Sequence, residues 1–183
     1  MAELKGKKNS PVAAEEYVES VLNVRRVAKV IKGGRRFAFS ALVAVGDKNG
    51  RVGVALGKGR EVSAAISKAL KRAQKNMFTV PLYKTTIPFT VKGKHGASLV
   101  LIRSASNGTG VIAGGAVRSI MEVLGVKDVL AKSLGSGNPQ NVVKATFNAL
   151  KKLKTASKIA AVRNKKLSEI ISTKTTKEKD VVA

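Results

Sequence analysis

The stretch VIKGGRRFAF, residues 30–39, joins two apolar runs through a pair of glycines and decides the fold of the first half of the chain. Paired glycines allow the backbone to turn with positive φ and to approach a partner closely. The flanking cations are Lys32, Arg35 and Arg36, so a partner of this tip would be negatively charged. The pattern predicts a β-hairpin whose basic tip either lies in solvent or contacts a polyanion.

The net charge of the chain favours the polyanion. Among its 183 residues, 35 are Lys or Arg and 11 are Asp or Glu, which gives a formal net charge of +24. Self-repulsion of this size disfavours an isolated compact state, and nucleic acid is the usual polyanion that relieves it. A membrane-binding helix would instead carry Trp or Phe on its apolar face. The chain has no Trp, and its basic helices carry small aliphatic residues, so no membrane partner is predicted.

The residue types that are rare in the chain restrict the class of binding partner further. Aromatic residues make up 4% of the sequence, which is few for proteins that stack single-stranded RNA bases. Recognition of the backbone and shape of folded or duplex RNA fits better. The absence of Cys excludes disulfides and thiolate metal sites and suits a reducing cytoplasm. Residues 1–8 lack the apolar core of a signal peptide, and no apolar run is long enough to span a bilayer.

Three strands are predicted in the first third of the chain. Apolar and basic residues are interleaved up to Ile31, and a period-two apolar pattern over residues 37–45 predicts a central strand. Asn49-Gly50 between two apolar runs predicts a second hairpin in which both residues adopt positive φ. The third strand is predicted over Arg51–Leu56 and completes an antiparallel meander.

Helices are predicted on both sides of these strands. Apolar residues at helical spacing predict a helix up to about Asn76, and cations form a stripe on another face (Lys68, Lys71, Arg72 and Lys75). Such a stripe is either a solvated face or an RNA contact. With a short helix predicted over residues 15–21, the order helix–strand–strand–strand–helix is typical of double-stranded-RNA-binding domains.

The second half of the chain predicts a more neutral α/β unit. Strands are predicted over residues 86–92, 97–104 and 126–131, with a helix from about 114 to 124 before the last of them. Asn138 is the predicted N-cap of the last core helix, and Pro139 is its first residue. The predicted fold class is α+β, with a flexible tail (1–16), a double-stranded-RNA-binding-like domain (17–82), a linker with the first strand of domain two (83–94), a C-terminal α/β domain (95–166) and a basic flexible tail (167–183).

No cofactor is predicted from the glycine-rich turn of the second domain. The sequence GTGVIA, residues 108–113, fits a loose dinucleotide fingerprint, and Asp128 follows Gly108 by twenty residues. However, the succession of βα units that builds a dinucleotide-binding sheet is missing. Glycines that close a tight strand-to-helix turn explain the pattern more simply.

No catalytic or metal site is predicted either. The sequence GVALGKG, residues 53–59, is similar to a phosphate-binding loop, but its glycine spacing is one residue short and Gly59 replaces the magnesium-binding Ser or Thr. The amides of this loop and Lys58 are still suited to holding an RNA phosphate. His95 is the only histidine, and no nucleophile or paired carboxylate accompanies it.

Five ordered motifs closely resemble bacterial small-subunit ribosomal protein five, over about Val24 to Leu167. They are VIKGGR (30–35), VGDKNGRVG (45–53), GKGRE (57–61), GTGVIAGG (108–115) and GSGNP (135–139). The resemblance implies a double-stranded-RNA-binding type of domain followed by an α/β domain, binding to small-subunit rRNA, and a role in subunit assembly in the cytoplasmic ribosome. It also implies contacts with small-subunit proteins four and eight, and a place near the entrance of the mRNA channel, where the family helps to unwind structured message.

The resemblance also implies roles for particular residues. The hairpin tip, residues 29–36, matches the part of the family that lies by the rRNA pocket where spectinomycin acts. A second set matches the region facing protein four, an interface linked to decoding accuracy; it comprises Gly108, Thr109, Gly110 and Arg118. The family often has Glu at the position of Asn107, which weakens the transfer of a charge contact at that turn. It often has another small residue in place of Gly59.

The sequence therefore predicts a structural, RNA-binding component of the ribosome that has no catalytic activity and is not a homo-oligomer. Phosphate contacts would position it, and RNA shape would give specificity. The candidate RNA-binding residues are Arg25, Arg26, Lys29, Lys32, Gly33, Gly34, Arg35, Arg36, Lys58, Arg60, Lys68, Lys71 and Arg72. The alternatives are a free duplex-RNA-binding regulator or enzyme accessory, and a nucleotide-dependent enzyme that uses the Gly108 turn.

Overall fold

A computed structural model describes residues 17–170, apart from the side chains of Ser168 and Ile170, and the chain forms two compact units. The first unit contains residues 17–79 and 115–126, and the second contains residues 80–114 and 127–170. The predicted α+β fold class is confirmed. The tail predicted over 1–16, and the part of the second tail that follows residue 170, lie outside the described residues.

The first unit is built on an antiparallel sheet. Its strands, in spatial order, are β1 (Val18–Ile31), β2 (Gly34–Gly46), β3 (Arg51–Gly59) and β4 (Phe78–Thr79), and helix α1 (Val62–Lys75) connects the last two. The three predicted strands are confirmed, and the two-residue β4 adds a short edge strand. Strand β2 lies between two long neighbours and is buried from residue 40 to residue 46, as expected of a central strand.

Helix α1 lies close to one face of this sheet because both surfaces carry small residues. Ala65, Ala69 and Ala73 are fully buried against β2, where the partners are Ala41, Val43 and Val45. Strand β3 presents glycine where the helix passes over it. A Cβ atom on Gly57 would overlap the Ala65 carbonyl oxygen and lie 2.7 Å from the Ala69 nitrogen. A side chain at Gly57 would therefore push α1 away from the sheet.

The helix predicted over 114–124 forms as α2 (Gly115–Leu124), but it packs in the first unit. It contacts β1, β2 and β3. The backbone N–H groups of Lys48 and Gly50 donate to the carbonyls of Val123 and Leu124, at 3.1 Å each. The sequence predicts this helix within the second domain, because the segments that flank it lie there. The contacts that hold it are made with strands far away in the sequence.

The short helix predicted in front of β1 is wrong for the part that is described. Residues 18–21 are strand and pair with residues 43–46 of β2. Their backbone groups are satisfied by this long-range pairing, which overrides a local helical pattern. Of the other residues of that prediction, Tyr17 belongs to no helix or strand, and residues 15 and 16 lie outside the described part of the chain.

The second hairpin is present, but its turn differs from the prediction. Positive φ occurs at Lys48 (56°) and Gly50 (94°), and not at Asn49. The Asp47 carboxylate accepts hydrogen bonds from the backbone N–H groups of Asn49 and Arg51, at 2.8 and 2.9 Å. The connection is therefore a four-residue loop organised by an aspartate, a role that Asp side chains often have in turns.

The elements of the second unit are β5 (Val91–His95), β6 (Ser98–Ser104), β7 (Val111–Ile112), β8 (Val129–Gly135), α3 (Pro139–Leu150), α4 (Ala156–Arg163) and α5 (Leu167–Ile170). The strands form a mixed sheet in the order β5-β6-β8-β7, and α3 packs on it. Helix α3 contacts β5 and β6. Its predicted N-cap is confirmed, because the Asn138 side chain accepts a hydrogen bond from the Gln140 N–H at 3.2 Å. Pro139 is the first helical residue, as predicted.

Several predicted boundaries in this unit are wrong. The predicted turn over residues 93–96 is mostly strand, and the chain turns at Gly96 and Ala97 instead. The strand predicted over 126–131 starts only at residue 129, because the N–H groups of Lys127 and Asp128 both donate to the Thr85 carbonyl (2.9 and 3.1 Å). Strand β7 was not predicted, and α5 occupies the start of the predicted second tail. Within residues 17–170, no helix is both long and apolar enough to cross a bilayer.

Candidate nucleic-acid interface

The hairpin formed by β1 and β2 carries its tip away from the core. The register pairs Ile31 with Gly34, so Lys32 and Gly33 form the turn. Every residue from 28 to 37 is exposed. The φ angles of Gly33 and Gly34 are 86° and 156°, and nothing lies within 4 Å of the place that a Cβ atom would occupy on either. The tip is therefore open to the close approach of another molecule.

The cations of the hairpin are not neutralised by carboxylates of the same strands. The only carboxylate on β1 and β2 belongs to Glu19, which pairs with Val45 at the far end from the tip. Lys29 and Arg36 lie directly opposite each other, and like charges in that arrangement destabilise a hairpin. A polyanion removes this repulsion. Six exposed cations lie on the two strands and their turn: Arg25, Arg26, Lys29, Lys32, Arg35 and Arg36.

These cations project from both faces of the hairpin. By the register, Arg25, Lys29 and Arg36 share one face, which is opposite to the face that α1 covers. Arg26 and Arg35 lie on the other face.

Two arginines of the hairpin have contacts within the chain. The Arg26 Cζ atom lies 3.7 Å from the centroid of the Phe37 ring, whereas Arg25 Nε donates to Asn23 Oδ1 at 3.1 Å. These contacts orient two guanidinium groups, whose planar donors suit phosphate oxygens.

The sheet brings Lys58 into the same set. Arg25 pairs with Ser40, and Ser40 pairs with Lys58, so the two cations share one row and one face, two strands apart. That spacing corresponds to about 10 Å. Arg60 follows the end of β3 and is exposed. The register therefore extends the basic face of the hairpin onto β3.

The predicted stripe on α1 is exposed, but one of its members also has a structural contact. Arg72 Nη1 donates to the Leu56 carbonyl at 3.1 Å and so ties the helix to β3. The stripe, Lys68, Lys71, Arg72 and Lys75, lies on the α1 side of the sheet, together with Arg26 and Arg35.

In the second unit, one carboxylate organises the turn over residues 106–110. Asp128 Oδ1 accepts from the N–H groups of Gly108 and Gly110, at 3.0 Å each. Positive φ at both glycines, 90° and 77°, is part of this geometry. The hydrogen bond from Gly110, followed by one from the Thr85 side chain, holds the pKa of Asp128 below its ordinary value although the residue is buried. The amides that a dinucleotide phosphate would need are therefore occupied by this carboxylate.

Arg118 lies on α2, in the first unit, and not in the unit that contains the 106–110 turn. Its Nε donates to Glu122 Oε1 at 2.8 Å, and both side chains are more than half exposed. Exposed pairs at this helical spacing contribute only about 0.3–0.5 kcal/mol. The guanidinium group can thus exchange this partner for another at small cost.

Two residues of the candidate sites were not identified from the sequence. The sequence pattern indicates Asp128 only as the acidic residue of a loose dinucleotide fingerprint, and its spacing of twenty residues from Gly108 is the signal that links it to this turn. Phe37 was assigned only to the apolar side of a strand, yet 51% of its surface is exposed. The sequence shows that Phe37 lies close to several cations. Its exposure could not be predicted, because it depends on where α1 ends over the sheet.

The fold and this surface define a strongly basic α+β protein with an exposed cationic hairpin that extends from an antiparallel sheet. Family descriptions agree: ribosomal protein S5, N-terminal domain, matches residues 17–81, and ribosomal protein S5, C-terminal domain, matches residues 93–163. The chain belongs to the ribosomal protein S5 family, and the resemblance found in its motifs is confirmed. It is a structural, non-enzymatic constituent of the small ribosomal subunit.

Curated relatives match most of the chain. A protein of Psychrobacter cryohalolentis named small ribosomal subunit protein uS5 is 57% identical over 154 residues, which cover 84% of this chain and 90% of the relative. Proteins of the same name from Coxiella burnetii and Syntrophobacter fumaroxidans are 55% and 52% identical, over 84% and 85% of this chain and 91% and 93% of their own lengths. The similarity therefore extends over both units.

Proposed function

We propose that the chain binds small-subunit rRNA through the β1–β2 hairpin, the adjoining cations of β3 and the stripe on α1, and that this binding supports subunit assembly in the cytoplasm. The observation that supports the proposal most strongly is the opposition of Lys29 and Arg36 on an exposed hairpin without a nearby carboxylate of its own strands. This arrangement costs stability in the free protein, and RNA phosphates compensate it.

The distribution of charge indicates how the hairpin binds. A protein that rests on one RNA surface needs cations on one face only. Here Lys29 and Arg36 project from one face and Arg26 and Arg35 from the other. The hairpin therefore enters a cleft between two RNA backbone segments, and the glycines at the tip allow the closest approach. RNA shape, rather than base sequence, selects the cleft.

The test measures the salt dependence of binding. Full-length protein is titrated onto small-subunit particles that were reconstituted without it, at several salt concentrations. Each phosphate contact contributes about 0.7–0.9 to the slope of log K against log salt, so Arg36→Gln is expected to weaken binding and to reduce the slope by about that amount. Lys144→Gln, an exposed substitution on α3, is the matched control and should leave the slope unchanged. A wild-type affinity that does not change with salt would contradict the proposal.

We also propose, from the family resemblance, that the chain contacts small-subunit protein four and affects translational accuracy, that it contacts protein eight, and that it lies near mRNA at the channel entrance. The turn held by Asp128 and the weakly paired Arg118 support the contact with protein four. Arg118→Glu is expected to change misreading of a reporter codon without loss of the protein from subunits. An unchanged error rate would contradict the assignment of Arg118.

A further inference from the structure

Phe37 is an exposed aromatic ring in the middle of the basic hairpin. Its exposed fraction is 51%, compared with 36% for Phe89, the other exposed phenylalanine of the described chain. Directly opposite Phe37 on β1 lies Ala28, whose methyl group is too small to cover the ring. The ring is therefore accessible from the side of the hairpin that continues the face covered by α1.

The core does not account for this ring. The apolar face of β2 includes Val45, Val43 and Ala41, which are fully buried under α1, and then Phe39, which is partly buried. Phe37 is the next residue on that face and lies beyond the cluster. An alanine or a charged residue here would leave this core cluster intact, so core packing does not require an aromatic ring at position 37.

The surroundings of the ring indicate what it binds. The Arg26 guanidinium lies over it at 3.7 Å, and Arg35 is its neighbour on the same face of β2. An apolar protein surface would desolvate both guanidinium groups without compensation. A nucleotide offers a flat π face to the ring and a phosphate to the cations.

We propose that Phe37, with Arg26 stacked on it, is a stacking platform for one unpaired nucleobase of the RNA that the hairpin enters. This inference rests on the proposed binding of rRNA and specifies its chemistry: one base is recognised by its flat face, while the other contacts are made with phosphates. Base stacking tolerates any base, so the platform adds affinity and fixes the depth of insertion without reading the sequence.

The experiment compares variants of the full-length protein that bind small-subunit particles reconstituted without it. Phe37→Leu keeps an apolar side chain but removes the π face, and roughly 5- to 100-fold weaker binding is expected. Phe37→Tyr retains the π face and should bind within about twofold of wild type. Phe89→Leu, the same substitution at the other exposed phenylalanine, should not change the affinity. The salt slope should be the same for all four proteins, because no phosphate contact is lost.

A second measurement locates the base. Acylation of 2′-hydroxyl groups should show one unpaired nucleotide that is protected by wild type and by Phe37→Tyr but reactive with Phe37→Leu. Thermal unfolding should be unchanged in Phe37→Leu, since the ring lies outside the core. Equal affinity of Phe37→Leu and wild type, or an equal loss in the Leu and Tyr variants, would overturn the stacking platform. Failure of the proposed function itself has a different signature, namely wild-type binding that is insensitive to salt.

Discussion

Replacing Gly57 with alanine tests the packing that holds the basic helix α1 against the sheet. A Cβ atom at this position would overlap the Ala65 carbonyl oxygen, and it would lie 2.7 Å from the Ala69 nitrogen and 3.0 Å from the Ala69 Cβ. The first two of these are backbone atoms inside a helix, so no rotamer change relieves the overlap. Helix α1 must move away from β3, and Ala65 and Ala69 then lose close contact with β2.

The magnitude follows from the kind of clash. Overpacking a core typically costs about 1–3 kcal/mol, and a clash with backbone belongs at the upper end, about 3 kcal/mol. One kcal/mol lowers Tm by about 4–8 °C in a domain of 60–100 residues. Gly57→Ala is therefore expected to lower the Tm of the first unit by about 12–24 °C. Circular dichroism during thermal and urea unfolding measures both quantities.

Two further glycines provide controls. Gly115, the first residue of α2 in the same unit, has no neighbour within 4 Å of an added Cβ, so Gly115→Ala should be neutral or stabilise by up to about 1 kcal/mol. Gly59 is intermediate, since its added Cβ would lie 2.8 Å from the Ala65 nitrogen. The expected order of destabilisation is Gly57, then Gly59, then Gly115. A change of less than about 0.5 kcal/mol in Gly57→Ala, the size of an ordinary surface substitution, would refute this reasoning.

Three other outcomes are expected. Because hydrogen bonds depress the pKa of Asp128, its carboxylate stabilises the fold above its ordinary pKa of 3.8 and loses this effect as the pH falls below that value. Urea titrations at several pH values should therefore show that the free energy of unfolding falls more steeply with acid in wild type than in Asp128→Asn. Lys29→Gln should stabilise the free protein by about 0.2–1 kcal/mol, because it relieves the opposition to Arg36, yet weaken binding to reconstituted particles; a parallel change in both would contradict the proposed trade-off. Lys32→Glu should leave thermal unfolding unchanged and alter rRNA protection or spectinomycin sensitivity in assembled subunits; if neither changes, the tip is only a solvated turn.

Short sequence patterns correctly predicted those turns and helix ends whose geometry is determined by neighbouring residues. The glycine pair predicted the hairpin tip, and Asn138-Pro139 predicted the start of α3 to the residue. Such signals are contained within a few positions, because caps and turns satisfy their own backbone groups. The cations of the hairpin were likewise evident from composition and spacing.

Long-range pairing explains what the sequence did not predict. Residues 18–21 are strand only because β2 lies beside them. The position of α2 depends on contacts with strands far away in the sequence. The arrangement of cations in the candidate interface also depends on long-range pairing. Strand register places Lys29 opposite Arg36 and aligns Arg25 with Lys58, and a shift of one residue would have changed both arrangements.

The placement of α2 has a consequence for the synthesis of the protein. One face of β2 approaches α2 so closely that a Cβ on Gly46 would lie 2.5 Å from the Val123 carbonyl oxygen. Yet α2 follows β3 only after the strands β5, β6 and β7 of the other unit. A nascent chain that has emerged up to residue 82 therefore has the whole β1–β2 hairpin but lacks helix α2, which packs on its sheet. Ribosome-bound intermediates of this length should be open to proteases and chaperones until residue 126 has left the exit tunnel.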